Sequence, residues 1–384
     1  MTSMPRIADD LSEEWLTSAL RTRFPDIEVR TFDARIIGLG EGFMGQLARV
    51  GLDYETPHAS WPQSLIVKFA SPNPETRKMA RDRNLYHREI GFYRDIGNAV
   101  GVPVPDCYFS HHEVESNHFV LLLEDLAPGE PSDQVEGTDR ETSRQVIEHL
   151  ARLHAKWWND DRLEQFGWAR WIINETPMGE ALAMLERSIA DAEASGRFDA
   201  YPTMKRLMYR LPPLFAMEPA PPYPFSLTHG DLRSDNIIRP TQRGGRFAII
   251  DWQLAGKGDP INDLVRWLVQ SISIEDRQAS EQDLLKLYHE RLLEHGVTGY
   301  PWKAFINAYK VNLIVVLLMF SMSMDGVDQT PDRAKALFHE FYSRLDSALA
   351  DWEIEKLLRV LPYMIPFMKL STWLKLKFGR PSRR

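Results

Sequence analysis

The sequence predicts an α+β chain of two lobes. A small antiparallel sheet occupies residues 1–126, a larger and mainly helical part occupies 127–355, and a basic tail ends the chain at 356–384. Three observations predict this. Short segments rich in β-branched and aromatic residues cluster before residue 126. Apolar residues recur at helical spacing after residue 138. Between the two patterns lies APGEPSDQVEG at 127–137, whose Pro, Gly and acidic content is that of a loop. With 384 residues, 43% of them hydrophobic, the chain can bury a large core and divide in about two.

Taken in order, Asp10 with Glu13 three residues on, ahead of Trp15, Leu16 and Leu20, marks an N-terminal helix start. Strand character follows at 29–37, 47–54, 64–69 and 119–123, with one charged helix over 77–96 between the third and the fourth. In the second part Val146, Ile147, Leu150, Leu153 and Trp157 share a helix face, and only 226–227, 237–238 and 247–250 have the character of short strands. His154 falls on that apolar face and is expected to be a satisfied core histidine. Asp259 or Asn262 can cap the amphipathic helix that carries Leu264, Trp267 and Leu268.

The one cysteine, Cys107, has no partner for a disulfide or a thiolate metal site, which fits a reducing, cytoplasmic setting. The N-terminus, MTSMPRIADDLSEEW, lacks the basic and apolar regions of a secretory signal. The apolar run at 313–320 is about half of the ~20 residues that cross a bilayer, so a buried helix is expected there. Net charge is −8, yet residues 356–384 hold eight Lys or Arg and no Asp or Glu, leaving −16 on the rest. An acidic body argues against nucleic acid as a partner. The tail, with Met364, Phe367, Met368, Trp373, Leu374 and Phe378 among its cations, is expected to pack on the body. Membrane contact is the alternative, weakened by Pro362 and Pro366, which interrupt any long helix.

The strongest chemical signal is LTHGDLRSDNII at 227–238, followed by FAIIDW at 247–252. Asp231, Asn236 and Asp251 are spaced by 5 and 15 residues. Singly, each would stabilise a turn or a strand end. Together, on a loop between short strands and the facing hairpin, their oxygens can converge. Phosphoryl transfer needs such a set: hard oxygen ligands for magnesium and a carboxylate to orient the attacking hydroxyl.

At these residues the chain resembles the aminoglycoside phosphotransferase and choline kinase superfamily, which shares the two-lobed protein-kinase-like fold. The HGDxxxxN loop is matched by His229 to Asn236, and the second metal aspartate by Asp251. The runs IDWQ at 250–253, LLLEDL at 121–126 and LARLH at 150–154 look most like the ecdysteroid-kinase-like and related bacterial phosphotransferases, and the resemblance spans about residues 30–350. It implies Asp231 as catalytic base, Asn236 and Asp251 as magnesium ligands, His229 as a brace of the loop, and Asp263 as a structural support through backbone contacts. Gly230 stands where protein kinases carry Arg, which favours the small-molecule branch. Arg233 either reaches the transferring phosphate or forms a surface salt bridge.

In the first lobe, Lys68 in LIVKF at 65–69 is the expected cation on the ATP phosphates, with Glu89 in YHREIGFY at 86–93 as its carboxylate partner rather than a solvated helix charge. Gly40 and Gly42 in IGLGEGFMG at 37–45 could admit phosphates to backbone amides, although such a cluster alone is usually a hairpin. The backbone from Glu124 to Leu126 is expected, from the resemblance alone, to meet adenine. Asp125 has no forced role beyond capping the loop.

The acceptor is implied to be a small hydroxylated molecule held by helices near 175–217 and 303–341. Trp157, Trp158, Trp168, Trp171, Met178, Met184, Met319, Met322 and Met324 are core residues or, where they line the cleft, favour an apolar acceptor. Two rival readings stay open. An antibiotic kinase, for aminoglycoside or macrolide, would use the acidic residues Asp160, Asp161, Glu164 and Glu175. A nucleotide-binding pseudokinase would serve as an interaction module, against which stands the presence of Lys68, Asp231, Asn236 and Asp251 together.

Overall fold

The structure, a computed structural model, describes residues 3–38, 44–171, 178–216, 224–323 and 332–359. Two compact units make up the chain. One comprises Met1–Glu175, Pro222–Leu264 and Gln282–Thr298, the other Thr176–Pro221, Val265–Glu281 and Gly299–Arg384.

The first unit opens with α1 (Glu13–Leu20), capped by Ser12 rather than by Asp10. Ser12 Oγ accepts the Trp15 N–H at 3.2 Å, while Asp10 closes the preceding turn on the N–H groups of Arg6 and Ile7. Strands β1 (Val29–Ile37), β2 (Gly45–Tyr54) and β3 (Ser64–Ala70) follow. The helix expected over 77–96 is two helices, α2 (Pro74–Asp82) and α3 (Leu85–Asp95). Between them Asn84 takes a left-handed backbone, φ 55°, a conformation that asparagine tolerates and that ends a helix.

Strands β4 (Cys107–Glu113) and β5 (His118–Glu124) complete an antiparallel sheet of order β1-β2-β3-β5-β4. The sequence does not announce β4. It is an edge strand, half-buried along most of its length, and CYFSHHE lacks the two-residue alternation that a strand with one dry face would show. On one face of the sheet Val50, Leu52, Leu65, Val67, Phe69, Val120 and Leu122 pack with Trp15, Leu16 and Leu20 of α1. Successive strand residues point to opposite faces, so Lys68, between Val67 and Phe69, is turned away from that core.

The chain continues through β6 (Glu130–Pro131), α4 (Arg140–Lys156), α5 (Met178–Ser195), α6 (Pro202–Met208), β7 (Ser226–Thr228), β8 (Ile237–Arg239), β9 (Ala248–Ile249), β10 (Gly256–Gly258), α7 (Pro260–Gln270), α8 (Ile274–Glu294), α9 (Trp302–Ser323) and α10 (Asp332–Asp351). In the first unit, β6, β8 and β9 form a small sheet and β7 pairs with β10, which fixes the segments around Asp231 and Asp251. Asp139 caps α4 through the Thr142 N–H at 2.6 Å, and Asp259 caps α7 through the Ile261 N–H at 2.9 Å.

His149 of α4 stacks on Phe247 with centroids 4.6 Å apart, and its Nδ1 is buried without a hydrogen-bond partner. Burial pushes its pKa down to about 4, and burial also lowers His87, His112 and His118. The unfolded chain, with histidines near the ordinary 6.5, then binds more protons than the folded one between those values. Stability is therefore expected to fall as pH drops from about 6.5 toward 4, ahead of most carboxylate titration. A His149→Gln variant should show a shallower decline of the thermal midpoint over that window. An identical slope would remove His149 from the account.

In the second unit α5, α6, α9 and α10 pack together, with Phe320 of α9 on Phe341 of α10 at 3.7 Å between centroids. Fully buried Arg277 donates to Glu281 at 2.9 Å and to Ser347 at 3.0 Å, and Glu281 also accepts from Tyr309 at 2.6 Å and Trp352 at 3.0 Å. Among the described residues, 302–321 is the stretch long and apolar enough to cross a membrane by length and composition. Its Phe305, Tyr309, Leu313, Val316 and Leu317 are buried, as the expected core helix requires. Gly40, Gly42, Glu175, Met324 and the tail from residue 360 lie outside the described residues.

Candidate functional site

Lys68 lies in the third strand of the sheet, opposite Leu47 of β2 and Leu121 of β5, with its side chain 12% exposed. Its ammonium is 2.8 Å from both carboxylate oxygens of Glu89, with hydrogen-bond geometry to Oε1, and 2.8 Å from Asp251 Oδ1. Burial works against the Lys68 charge, but Asp251 and Glu89 outweigh it and hold its pKa above the ordinary value. Burial raises Glu89 to about 7 even with the Lys68 charge opposing. At 1% exposure Glu89 is no solvated helix charge. Residues 85, 86 and 88–93 of α3 are all buried, so the helix is packed nearly all round.

Three of those positions, Arg88, Gly91 and Phe92, recur with the exposed Asp95 at the i, i+3, i+4, i+7 spacing of one helix face. Arg88 Nη1 donates to Ala255 O at 2.9 Å and Trp168 O at 3.2 Å. A Cβ on Gly91 would run into the Trp168 ring, and Trp168 Nε1 donates to Asp95 at 2.9 Å. Phe92 lies flat on Trp252, 4.1 Å between centroids and 3° between planes.

The loop from Thr228 to Asn236 is held from within and from behind. Asp263, fully buried at the start of α7, accepts the N–H of His229 at 2.6 Å and of Gly230 at 2.9 Å. Burial pushes its pKa up, but the His154 contact and the other hydrogen bonds prevail and leave it below the usual carboxylate value. His154 stands 3.3 Å from Asp263 and 2.7 Å from the Tyr288 hydroxyl, the satisfied core histidine that its position on α4 predicts. Gly230 has φ 80°, and a Cβ there would collide with Leu254 O, so no other residue fits this bend without strain.

His229 donates from Nε2 to Ile250 O at 2.9 Å and accepts the Asp231 N–H at Nδ1, which fixes its tautomer. The Ile250 N–H in turn reaches Asn236 O at 3.0 Å. The residue before Asp251 is thus tied to the loop on both sides. Asn236 Nδ2 donates to Asp231 O at 2.8 Å, which leaves its Oδ1 as the oxygen it can present. Asp251 has a left-handed backbone, φ 64°, ψ 64°, and its Oδ2 accepts from Gln253 at 3.1 Å. Arg233 is 3.4 Å from Asp231 and 3.0 Å from Asp235 and donates to Gln134 at 2.7 Å. It is a mostly buried link rather than a surface pair.

Removing the Asp263 carboxylate would leave two buried N–H groups without acceptors, each costing about 1–3 kcal/mol. Asp263→Ala is expected to destabilise the fold by roughly 2–5 kcal/mol in a denaturant titration. A loss under about 1 kcal/mol would show that the loop does not depend on it.

Two of the backbone groups expected near adenine are already engaged. The Glu124 N–H donates to Asp106 O at 2.8 Å, because pairing begins one residue before the start of β4, and the Leu126 carbonyl closes a turn on the Gly129 N–H at 2.8 Å. The Glu124 carboxylate is paired with Arg246, and Asp125 binds Arg49, Ser64 and the Ala127 N–H. The Leu126 N–H meets no protein acceptor among the described residues. Gln253 and Arg88, given no role from sequence, are part of this architecture. The signal for Arg88 is a long cation three and four residues before Gly91 and Phe92 on one helix face.

Among the described residues no three Asp, Glu, His or Cys converge as a metal cage. The Asp251 carboxylate and the Asn236 amide oxygen are nonetheless a hard pair. That suits magnesium, which takes one or two carboxylates and completes its shell with water and substrate phosphate.

Residues 55–302 match the family described as phosphotransferase enzyme family. An uncharacterised kinase-like protein of Caenorhabditis elegans is 26% identical over 276 residues, covering 68% of this chain and 71% of that protein. Acyl-CoA dehydrogenase family member 10 of Mus musculus is 26% identical over 211 residues, 52% of this chain and 18% of that much longer protein. Among solved structures, a candidate aminoglycoside phosphotransferase from Ralstonia eutropha aligns with a TM-score of 0.50 at 18% identity, covering 90% of this chain and 98% of that one, a likeness of fold.

Proposed function

Because the chain belongs to the phosphotransferase enzyme family, we propose that it moves the γ-phosphoryl group of ATP, bound with magnesium, onto a hydroxyl of a small molecule. The observation that carries this reading is the meeting of Lys68 with Glu89 and Asp251 at 2.8 Å each. An ammonium held by a buried carboxylate and facing a second one would take up nucleotide phosphate charge beside the proposed metal ligand.

A magnesium ion held there would supply positive charge to offset the charge that develops on the transferring phosphate. Asp251 and the Asn236 amide oxygen would hold it, and Glu89 would keep Lys68 extended toward the phosphates. Gly40 and Gly42 would let backbone amides approach them. With the Glu124 N–H and the Leu126 carbonyl engaged, the Leu126 N–H is the group that would meet adenine. Asp231 would orient the acceptor hydroxyl and accept its proton as the oxygen attacks phosphorus. Arg233, against Asp231 and Asp235, would steady that carboxylate.

The acidic side chains that a polycationic antibiotic would need are partly committed. Asp160 accepts from Arg162, and Glu164 pairs with Lys257, whose ammonium also lies over the Phe225 and Trp171 rings. An apolar hydroxylated acceptor fits better. The test is transfer of labelled phosphate from ATP to a panel of hydroxylated compounds, with a chelator control and direct titration of nucleotide. Chelator-sensitive ATP binding and transfer to one acceptor class are expected. ATP binding that is absent, or indifferent to the chelator, would overturn the reading.

A further inference from the structure

We propose that Arg88 is a positioning residue for the nucleotide site: by fastening α3 to the carbonyls of Ala255 and Trp168, it sets where Glu89 meets Lys68. The inference rests on the nucleotide-binding role proposed above for Lys68 and Asp251.

Arg88 and Glu89 are neighbours on α3, about 100° apart around the helix, and their side chains go to different places. Glu89 reaches Lys68 at 2.8 Å. Arg88, 1% exposed, reaches Ala255 O at 2.9 Å, Trp168 O at 3.2 Å and, at the edge of hydrogen-bond range, Arg170 O at 3.5 Å. Ala255 ends the short turn that begins just after Asp251, and its N–H closes that turn on Trp252 O at 3.0 Å. One guanidinium therefore joins the helix that carries Glu89 to the turn that follows Asp251, the two carboxylates that share Lys68.

Glu89 cannot set this geometry alone. A long carboxylate against a long ammonium leaves the roll of the helix and its height above the sheet free, because either side chain can change rotamer to keep the contact. The planar guanidinium of Arg88 removes that freedom, since the N–H groups of its Nη1 point in fixed directions and their acceptors are main-chain carbonyls. Gly91, Phe92 and Asp95 continue the same stripe, so Arg88 is its first and most polar member. A buried guanidinium carries a desolvation cost that a leucine would avoid, which points to a geometric role rather than one of stability alone.

The experiment is titration of the full chain with magnesium and ATP, read as affinity, for wild type, Arg88→Lys, Glu89→Gln and the double variant, with thermal midpoints alongside. Lysine keeps the charge but is shorter and its N–H groups rotate freely, so it cannot hold both carbonyls at the distances and directions that Nη1 sets. Arg88→Lys is expected to bind about 10–100-fold more weakly, the loss typical of removing a group that orients another's ligand. The double variant should be little worse than the weaker single one, because both changes act through Glu89. A merely structural role would lower the midpoint and leave the affinity of the folded protein unchanged. That result, or additive losses, overturns the proposal.

Should Arg88→Lys fail to fold, Asp95→Ala breaks the other end of the stripe at a more exposed site. Weaker ATP binding that is non-additive with Glu89→Gln supports the proposal there, and unchanged or additive binding overturns it. A wild-type chain that takes up no magnesium–ATP removes the functional reading and this inference together, whereas wild-type binding without the coupling removes this inference alone.

Discussion

Asp231→Asn is expected to lower phosphoryl transfer by about 10²–10⁴-fold, the usual cost of losing a positioned general base, while ATP binding stays within a few-fold of wild type. The split follows from the contacts. Lys68 meets Glu89 and Asp251, not Asp231, whose backbone is fixed by His229 and Asn236 and whose carboxylate faces Arg233. Asparagine keeps the size of the side chain and the backbone bonds, so the variant should fold. Transfer within about tenfold of wild type would remove Asp231 from the proton's path.

The second large effect is expected at Asp251, and asparagine is again the informative replacement. The left-handed backbone at φ 64° would add strain to an alanine variant and confuse a folding defect with a binding one, whereas asparagine tolerates that conformation. Asp251→Asn should cut magnesium-dependent ATP affinity by roughly 30–150-fold, about 2–3 kcal/mol for a charged ligand to the metal. Titrations with and without magnesium check this. The variant should bind ATP about equally in both, and a magnesium dependence as steep as wild type's would place the metal elsewhere.

How far the molecule is legible in its sequence differs from one part to the next. Runs of β-branched and apolar residues located β1, β2, β3 and β5, the last buried on both faces from Phe119 to Leu123, and missed β4, an edge strand with histidines where a core strand would carry apolar residues. Helical spacing through 77–96 hid the break at Asn84, since the apolar stripe continues while the backbone does not. At the site, the spacing of Asp231, Asn236 and Asp251 pointed to one loop and the segment facing it, which Ile250 ties together through His229 and Asn236. The pairing of Lys68 with Glu89 needed a fold to bring a strand and a helix together. What could not be read was the use of main-chain groups. No residue identity reveals that the Glu124 N–H pairs with Asp106 or that Ala255 O accepts from Arg88.

The flat seating of Phe92 on Trp252 bears on control as well as on geometry. A switch needs two arrangements of nearly equal free energy, so that a phosphate or a partner can tip the balance between them. To leave its seat, α3 would have to unstack Phe92, strip the Arg88 guanidinium of its carbonyls and open a void beside Gly91, where Trp168 now fills the space a side chain would occupy. Those losses fall on one face of the helix and are incurred together. The helix is bolted rather than hinged. Transfer by the freshly made chain should accordingly match transfer after incubation with a broad-specificity protein kinase or a phosphatase, its rate following the supply of acceptor and nucleotide.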